Sequence, residues 1–484
     1  MRARHSLVLL GATMLAGCVA GPDYHRPETP LPDHYTQSPT RHAGSGAVQD
    51  LDTWWLQFDD PMLARYVSLA IAQNLDLAQA AARVTQARAG LGAANAALLP
   101  SASVRGLAAR SHQSLETPLG QVASSTPDYD RWGNQYEANL EASWEIDMFG
   151  GLRRGREAAI AGLQASDAAA TATQLAVAAQ TADTYIAIRG LQARLEIAQR
   201  QVRTQQELVA RVALLHERGL AAEYQVRQAD GALSQVEATI PVLQSGLDAA
   251  MNALDVVLGA VPGTHRTELA AHAPIPAVPR IENMGSPANL LQRRPDLIAA
   301  ERRLAAANAR IGEAVSEFYP KFSLSGLLGS ATNVSSGNLF SAGASQSAGV
   351  LGLRWRLFDF GRINAQIEVA KGQEAEALAA YRLAVLQATE DVENAFSALV
   401  HRAEQSVVLT RGEDALTHAR ASSFAAYKRG AASLLDVLYA DTSLLQASDA
   451  RAQAQVEAAR AAVAAYKALG GGWRPDAPAQ IAKR

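Results

Sequence analysis

Apolar and polar residues alternate strictly in YEANLEASWEIDMF. Tyr136, Ala138, Leu140, Ala142, Trp144 and Ile146 fall on one face, and Glu137, Asn139, Glu141, Ser143 and Glu145 on the other. A period of two predicts a strand with one apolar face. The same pattern sets Leu351, Leu353, Trp355 and Leu357 against Gly352, Arg354 and Arg356, and Phe322, Leu324, Gly326 and Leu328 against Lys321, Ser323 and Ser325. Ala102 and Val104 alternate more weakly with Ser101, Ser103 and Arg105. Elsewhere the period is helical. Ile188, Leu191, Leu195, Ala198, Val202, Gln205, Val209 and Val212 advance by three and four residues in turn, as do Leu233, Val236, Ile240, Leu243, Leu247, Ala250, Leu254 and Val257. Both series predict coiled-coil seams. Nothing punctuates the stretch from about 152 to 216, and a helix of that length reaches roughly 100 Å at 1.5 Å per residue. Pro241 lies inside the second series and should bend its helix.

These elements occur twice. Arg218-Gly219 and Arg429-Gly430, Val226 and Val437, Asp230 and Asp441, Trp144 and Trp355, Phe149-Gly150 and Phe360-Gly361, Tyr185 and Phe396, and Leu258-Gly259 and Leu469-Gly470 are all 211 residues apart. Upstream, Asp76-Leu77 and Asp296-Leu297, Pro100 and Pro320, and Gly106 and Gly326 are 220 apart. The first copy therefore carries nine extra residues between Gly106 and Trp144, and insertions of this kind belong in an exposed loop. Each copy predicts a helix (about 61–98 and 295–318), two strands around a Gly/Ser/Thr-rich loop, a very long helix, an Arg-Gly break and a return helix. Gly219 and Gly430 are placed to end one helix in a left-handed conformation and turn the chain back into its partner. The resulting division is 1–17 signal, 18–60 anchor and linker, 61–259 first repeat, 260–286 Pro-rich linker, 287–470 second repeat and 471–484 flexible tail.

Composition narrows the class. The 484-residue chain has a net charge of −3, which gives no reason to invoke nucleic acid or an acidic substrate. Much of its 48% apolar content is alanine and only 6% is aromatic, which suits long helices packed through small side chains. Arg2, Arg4 and the apolar run from Leu7 to Leu15 read as an export signal too short to span a membrane. That run ends at Leu15-Ala16-Gly17-Cys18, and Cys18 is the sole cysteine. A lone cysteine cannot form an internal disulfide, and this one resembles the acylated cysteine of a bacterial lipoprotein. Val19 stands where such lipoproteins carry an aspartate when retained at the inner membrane, so the resemblance favours the outer membrane. Acyl chains make a firm anchor at about 0.8 kcal/mol per buried CH₂.

About ten alternating residues with an aromatic near one end fit a membrane β-barrel strand; a half-buried sheet in a soluble domain would alternate in the same way. Only four such strands are present, and a sheet in lipid cannot leave an edge unpaired. Several chains must then close one barrel, with 8 strands from two chains or 12 from three.

The assembled segments resemble the outer-membrane efflux protein family, the TolC-like channels, and in particular its NodT/OprM-type lipoproteins serving resistance-nodulation-division pumps. Cys18-Val-Ala-Gly-Pro-Asp-Tyr-His-Arg-Pro27, TWWLQFDDPML (53–63), NLDLAQAAARV (74–84) and, most specifically, LLQRRPDLIAAERRLAAANARIGEAVSEFYPKFSLSG (290–326) carry the resemblance. It implies an α+β membrane protein with an internally duplicated chain. Three copies would form a 12-strand transmembrane β-barrel, four strands per chain, continued by a long periplasmic α-helical barrel. It implies a homotrimer in the cell outer membrane, held by barrel and lipid, with a periplasmic adaptor (membrane fusion) protein and, indirectly or by contact, an inner-membrane pump as partners. No cofactor beyond the covalent lipid on Cys18 is implied, nor any catalysis. By resemblance Leu435, Asp436 and Tyr439 constrict the periplasmic gate, and Arg218, Gly219, Leu220, Ala221, Arg429, Gly430 and Ser433 form the adaptor-docking tip. Relatives often have Asp where this chain has Tyr439, which points to a more steric gate than a double ring of carboxylates.

Two other channel-free or cargo-different readings compete. A lipid-anchored coiled-coil scaffold would explain Cys18 and the helices but not the four alternating segments. A type I secretion conduit for proteins would share the architecture. Enzyme chemistry has little support: His216-Glu217 opens like a zinc-protease helix, but Leu220 stands where the second histidine would be. One cysteine and scattered histidines make no metal cluster.

Overall fold

The computed structural model describes residues 19–36, 51–279 and 286–474. Cys18 and the signal segment lie outside these residues. The chain divides into two compact units, one built from Met1–Pro27, Thr85–Gln164 and Glu301–Ala379, the other from Glu28–Val84, Ala165–Ala300 and Ala380–Arg484.

The elements run α1 (Pro61–Gln73), α2 (Leu75–Ala96), β1 (Ser101–His112), α3 (Pro118–Ser124), β2 (Trp132–Ile146), α4 (Gly151–Glu217), α5 (Glu223–Glu237), α6 (Thr239–Val257), α7 (Arg266–Leu269), α8 (Pro287–Arg293), α9 (Pro295–Ser316), β3 (Lys321–Thr332), β4 (Ser345–Arg354), α10 (Arg362–Lys428) and α11 (Leu434–Ala468). The nine-residue insertion falls between β1 and β2, where α3 occupies part of a long loop.

The first unit holds a four-stranded antiparallel sheet in the order β1-β2-β3-β4. Its register aligns apolar faces: Val104 lies opposite Leu140, Leu140 opposite Leu328, and Leu324 opposite both Trp144 and Leu351. Each repeat fixes strand to helix with the same bond. The Trp144 indole N–H donates to Leu98 O at 2.9 Å, and the Trp355 indole to Phe318 O at 3.0 Å. Both carbonyls lie just past a helix end, where backbone acceptors otherwise lack partners.

The second unit is built around Trp54, Trp55, Phe58 and Tyr466, with Trp54 and Tyr466 stacked at 5.4 Å. Its chain end is not loose from residue 471 as expected. Gly472 N–H donates to Leu51 O and the Trp473 indole to Arg293 O, so Gly471–Arg474 belong to the packed body.

Four further boundaries differ from the sequence reading. The first helix is broken at Asn74, whose side chain accepts from the Asp76 and Leu77 amides and donates to Val257 O; it ends α1 and caps α2 at once. The return helix divides at Ala238, three residues before Pro241, because the proline cannot donate to Glu237 O and its ring crowds that carbonyl. In α4 the predicted stripe is buried at Ile188, Ala198, Gln205 and Val212 but only half-buried at Leu191, Leu195, Val202 and Val209, where Gln192, Gln201 and Leu208 are buried instead. Half of the predicted stripe is thus kept, and the positions between are displaced by one residue in part of the helix. Finally β4 stops at Arg354, leaving Trp355 and Leu357 outside the strand.

Candidate functional site

Each long helix ends in the same turn. Leu220 N–H reaches Leu215 O and Gly219 N–H reaches His216 O at the first tip; Ala431 N–H reaches Ala426 O and Gly430 N–H reaches Tyr427 O at the second. This pair of bonds needs a left-handed residue, and Gly219 and Gly430 supply it with φ of 73° and 74°. The helices that follow are capped differently. At the second tip Ser433 N–H and Oγ both donate to Asp436 Oδ2, and Asp436 N–H donates back to Ser433 Oγ, a reciprocal capping box. The first tip keeps half of it: the Ala222 amide donates to Gln225 Oε1 at 2.9 Å, but alanine offers no acceptor in return. Bonding to Ser433 holds the Asp436 carboxyl below the usual aspartate range.

The two tips share one apolar core. Leu208 and Val212 from α4 meet Leu434, Val437 and Leu438 from α11, flanked by Ala221, Val226, Phe424 and Tyr427. With these positions turned inward, Leu435 and Tyr439, one helical turn apart, are 61% and 76% exposed. Leu220 and Tyr224 are exposed on the first tip. Arg218, Arg429, Gly430 and Ser433 are also at the surface, and Ala221 is half-buried. The sequence-derived gate and docking residues are therefore brought together at one place in the second unit.

Sequence reasoning missed the groups that stiffen this place. Asp441 is fully buried, accepts from Arg420 Nε at 2.7 Å, and has its carboxyl pushed up by burial, with Arg420 opposing that shift. Arg420, Lys428 and Arg211 surround the Phe424 ring at 4.8, 4.7 and 5.9 Å from its centroid. The repeat flagged Asp441 through Asp230, but nothing local marked Arg420 as its partner.

A second feature lies in the first unit, directly after Cys18. Ala20 N–H donates to Phe149 O, and Gly21 crosses Gly312 so closely that a Cβ on Gly21 would sit 2.3 Å from Gly312 Cα. Arg154, 4% exposed, donates to Ala20 O, Gly21 O, Asp23 and Glu157. The Tyr24 hydroxyl bonds Glu301. The segment leading from Cys18 is thereby clamped at the corner between β2 and α4.

Among the described residues no helix is long and apolar enough to cross a membrane, and no cluster of three His, Cys, Asp or Glu side chains could hold a metal ion.

The outer membrane efflux protein family matches residues 66–260 and 287–471, which are the two repeats. This chain belongs to that family. The pyoverdine export outer membrane protein OpmQ of Pseudomonas putida is 35% identical over 457 residues, covering 91% of this chain and 92% of the relative. Nodulation protein T of Rhizobium leguminosarum bv. trifolii is 31% identical over 468 residues, covering 97% of each. The structure of the outer-membrane channel OprN matches with a TM-score of 0.86 at 33% identity, over 94% of this chain and all of that one. The fold is TolC-like, and this efflux protein is an outer-membrane channel component of an efflux pump. For an outer membrane efflux protein, the exposed Leu435 and Tyr439 beside the glycine turns acquire a specific meaning.

Proposed function

We propose that this chain forms a homotrimer whose twelve strands close a barrel in the outer membrane and whose helices form a periplasmic tunnel closed at rest by the second tip. Leu435 and Tyr439 are the steric part of the gate. Three Asp436 carboxylates ring the axis beside them, each already engaged by Ser433, so they act as a fixed negative rim that repels anions. Arg218, Gly219, Leu220, Ala221, Arg429, Gly430 and Ser433 receive the periplasmic adaptor, through which an inner-membrane pump delivers small toxic molecules. The protein conducts and does not catalyse. Cys18 carries lipid, and the residues that follow it, Ala20–Tyr24, are held against α4 and α9.

The observation that carries the gate is the inside-out pattern of the first two turns of α11. Leu434, Val437 and Leu438 are buried while the large apolar Leu435 and Tyr439 face away from the chain's own core. Exposed apolar groups of this size, so close together, mark a contact surface.

Single-channel conductance in a planar bilayer tests it. Wild type should give small, flickering currents and Leu435→Ala with Tyr439→Ala large, stable ones. Asp436→Ala should change ion selectivity more than opening. Large currents from the wild type would remove the gate from this tip, and no current from either protein after confirmed insertion would remove the channel.

A further inference from the structure

The apolar face of the sheet changes character at the end far from the helices. On β1 it runs through Ala102, Val104, Gly106 and Ala108, and then carries Arg110 and His112. On β2 the matching positions are Tyr136 opposite Ala108, Asn134 opposite Arg110 and Trp132 opposite His112. Trp132 and Trp144 share this face and stand twelve residues apart. At a tilt of about 40° that length rises roughly 30 Å, which sets one indole at each rim of a barrel's apolar band of about 25 Å. Trp144 is the indole at the helix end, bonded to Leu98 O. Trp132 therefore marks the far rim, and Arg110 and His112 join it there.

These side chains form one cluster. The Arg110 guanidinium lies over the Trp132 ring at 5.1 Å from its centroid, and the His112 ring packs on the same indole at 4.7 Å between centroids. All three residues are exposed. Among the described residues, none of the three side chains has a hydrogen-bond or ion-pair partner. Asp130, the carboxylate nearest Trp132 along the chain, accepts from the Trp132 amide instead. Nor does the fold itself ask for charge here. In the second repeat, Arg110 opposite Asn134 becomes Ser330 opposite Ser345, and His112 and Trp132 become Thr332 and Gly343. One repeat builds this corner from small residues, and the other from a cation, an imidazole and an indole. A cation on the lipid face is expensive at the midplane but costs little at the rim, where headgroups can neutralise it.

We propose that Arg110, His112 and Trp132 bind the phosphate of a phosphorylated lipid in the outer leaflet of the outer membrane. The inference rests on the reading above that the helices lie in the periplasm, and it adds a ligand at the opposite rim. The donors suit a phosphate. Arg110 offers a planar fork of N–H groups, and His112 and Trp132 each add a ring N–H. The indole beneath the guanidinium holds it by a cation–π contact and leaves its N–H edge free for the anion. The surface below suits the rest of a lipid. Ala108, Gly106, Val104 and Ala102 are exposed and small, so acyl chains can lie against β1 beneath the headgroup. Free phosphate would use the cluster alone, whereas a lipid uses the cluster and the apolar track together.

Native mass spectrometry of the full chain, purified in detergent, tests the site. The probes are bisphosphorylated lipid A, the same lipid stripped of phosphate, and inorganic phosphate. The phosphorylated lipid should bind about tenfold more tightly than the stripped one, as expected for hydrogen bonds to a charged group. Arg110→Ala should abolish that preference, His112→Ala should weaken it, and Arg110→Lys should keep part of it. Arg105→Ala removes the same charge from the same strand on the opposite face, and should leave the preference unchanged. Equal binding of the two lipids by the unmodified protein overturns the proposal. So does a loss in Arg105→Ala as large as that in Arg110→Ala. Inorganic phosphate binding as tightly as the phosphorylated lipid would make the ligand a free anion and overturn the lipid. Should Arg110→Ala fail to assemble on an unheated gel, Arg110→Gln takes its place. Thr126→Cys, in the exposed loop between β1 and β2, separates the site from the orientation beneath it. A membrane-impermeant maleimide should label that variant in intact cells. Labelling only in broken cells would withdraw the outward placement and the outer-leaflet ligand together. Labelling in intact cells with no phosphate preference would remove the site alone.

Discussion

Asp436 and Asp441 lie a little over one turn apart on α11 and are held in opposite ways. Asp436 is lowered by Ser433, so its contribution to the helix start is complete above the ordinary aspartate range and is lost only as pH falls through the depressed value. Gating near neutrality therefore does not turn on its titration. Asp441 is raised by burial; its preference is for the protonated form, and stability drawn from it is present in acid and lost as pH rises through the raised value. At neutral pH it relies on Arg420. Removing the cation alone, in Arg420→Met, should cost about 3–5 kcal/mol because a buried carboxylate is left unpaired, while Arg420→Met with Asp441→Leu should cost much less. Unfolding followed by helical circular dichroism checks both, and equal losses would show the pair is not coupled. Neither partner was legible as such. Arg420 sits in a polar run that reads as a solvated helix face, and the contact spans 21 residues. The same holds for Arg189, 1% exposed, which bonds Tyr185, Gln192, Ala271 O and Met62 Sδ. Periodicity marks apolar stripes; it carries no sign that an arginine beside one is buried. The glycine turns were readable because glycine takes that φ without the cost a side chain adds.

Elements were legible where the repeat gave a second measurement of each boundary, and the long helix α4, Gly151–Glu217, came within a residue of the expected 152–216. They were less so where one residue does two jobs, as Asn74 does, or where pairing stops short of the alternating pattern, as β4 does at Arg354. Along α4 only half of the predicted stripe is buried, Ile188, Ala198, Gln205 and Val212, because a helix with more than one neighbour adds all their contacts into one apolar stripe. The division at Ala238 has a single cause, since α11 runs unbroken through the equivalent place with Ala452 where the first copy has Pro241. Pro241→Ala should join α5 to α6. Hydrogen exchange of residues 237–241 should slow to the rate of the flanking turns, and an unchanged rate would show that Ala238 breaks the helix for another reason.

For the molecule as a whole, anchor and barrel are separable. Cys18→Ser should abolish acyl labelling while leaving an unheated detergent-gel band near three chain masses, because the clamp and the strands lie beyond the cysteine. Normal labelling of that variant would refute the lipoprotein assignment, and a single-chain band from mildly extracted wild type would count against three chains in one barrel. The open edges β1 and β4 have a consequence for how the cell makes this channel. Four strands cannot satisfy their own backbone in lipid, so no single chain has a stable inserted state from which to wait for partners. In the proposed three-chain barrel insertion is a meeting of chains, and its rate should rise more steeply than linearly with their concentration. Halving synthesis should then remove more than half of the finished channels. Expression level becomes a switch on export capacity.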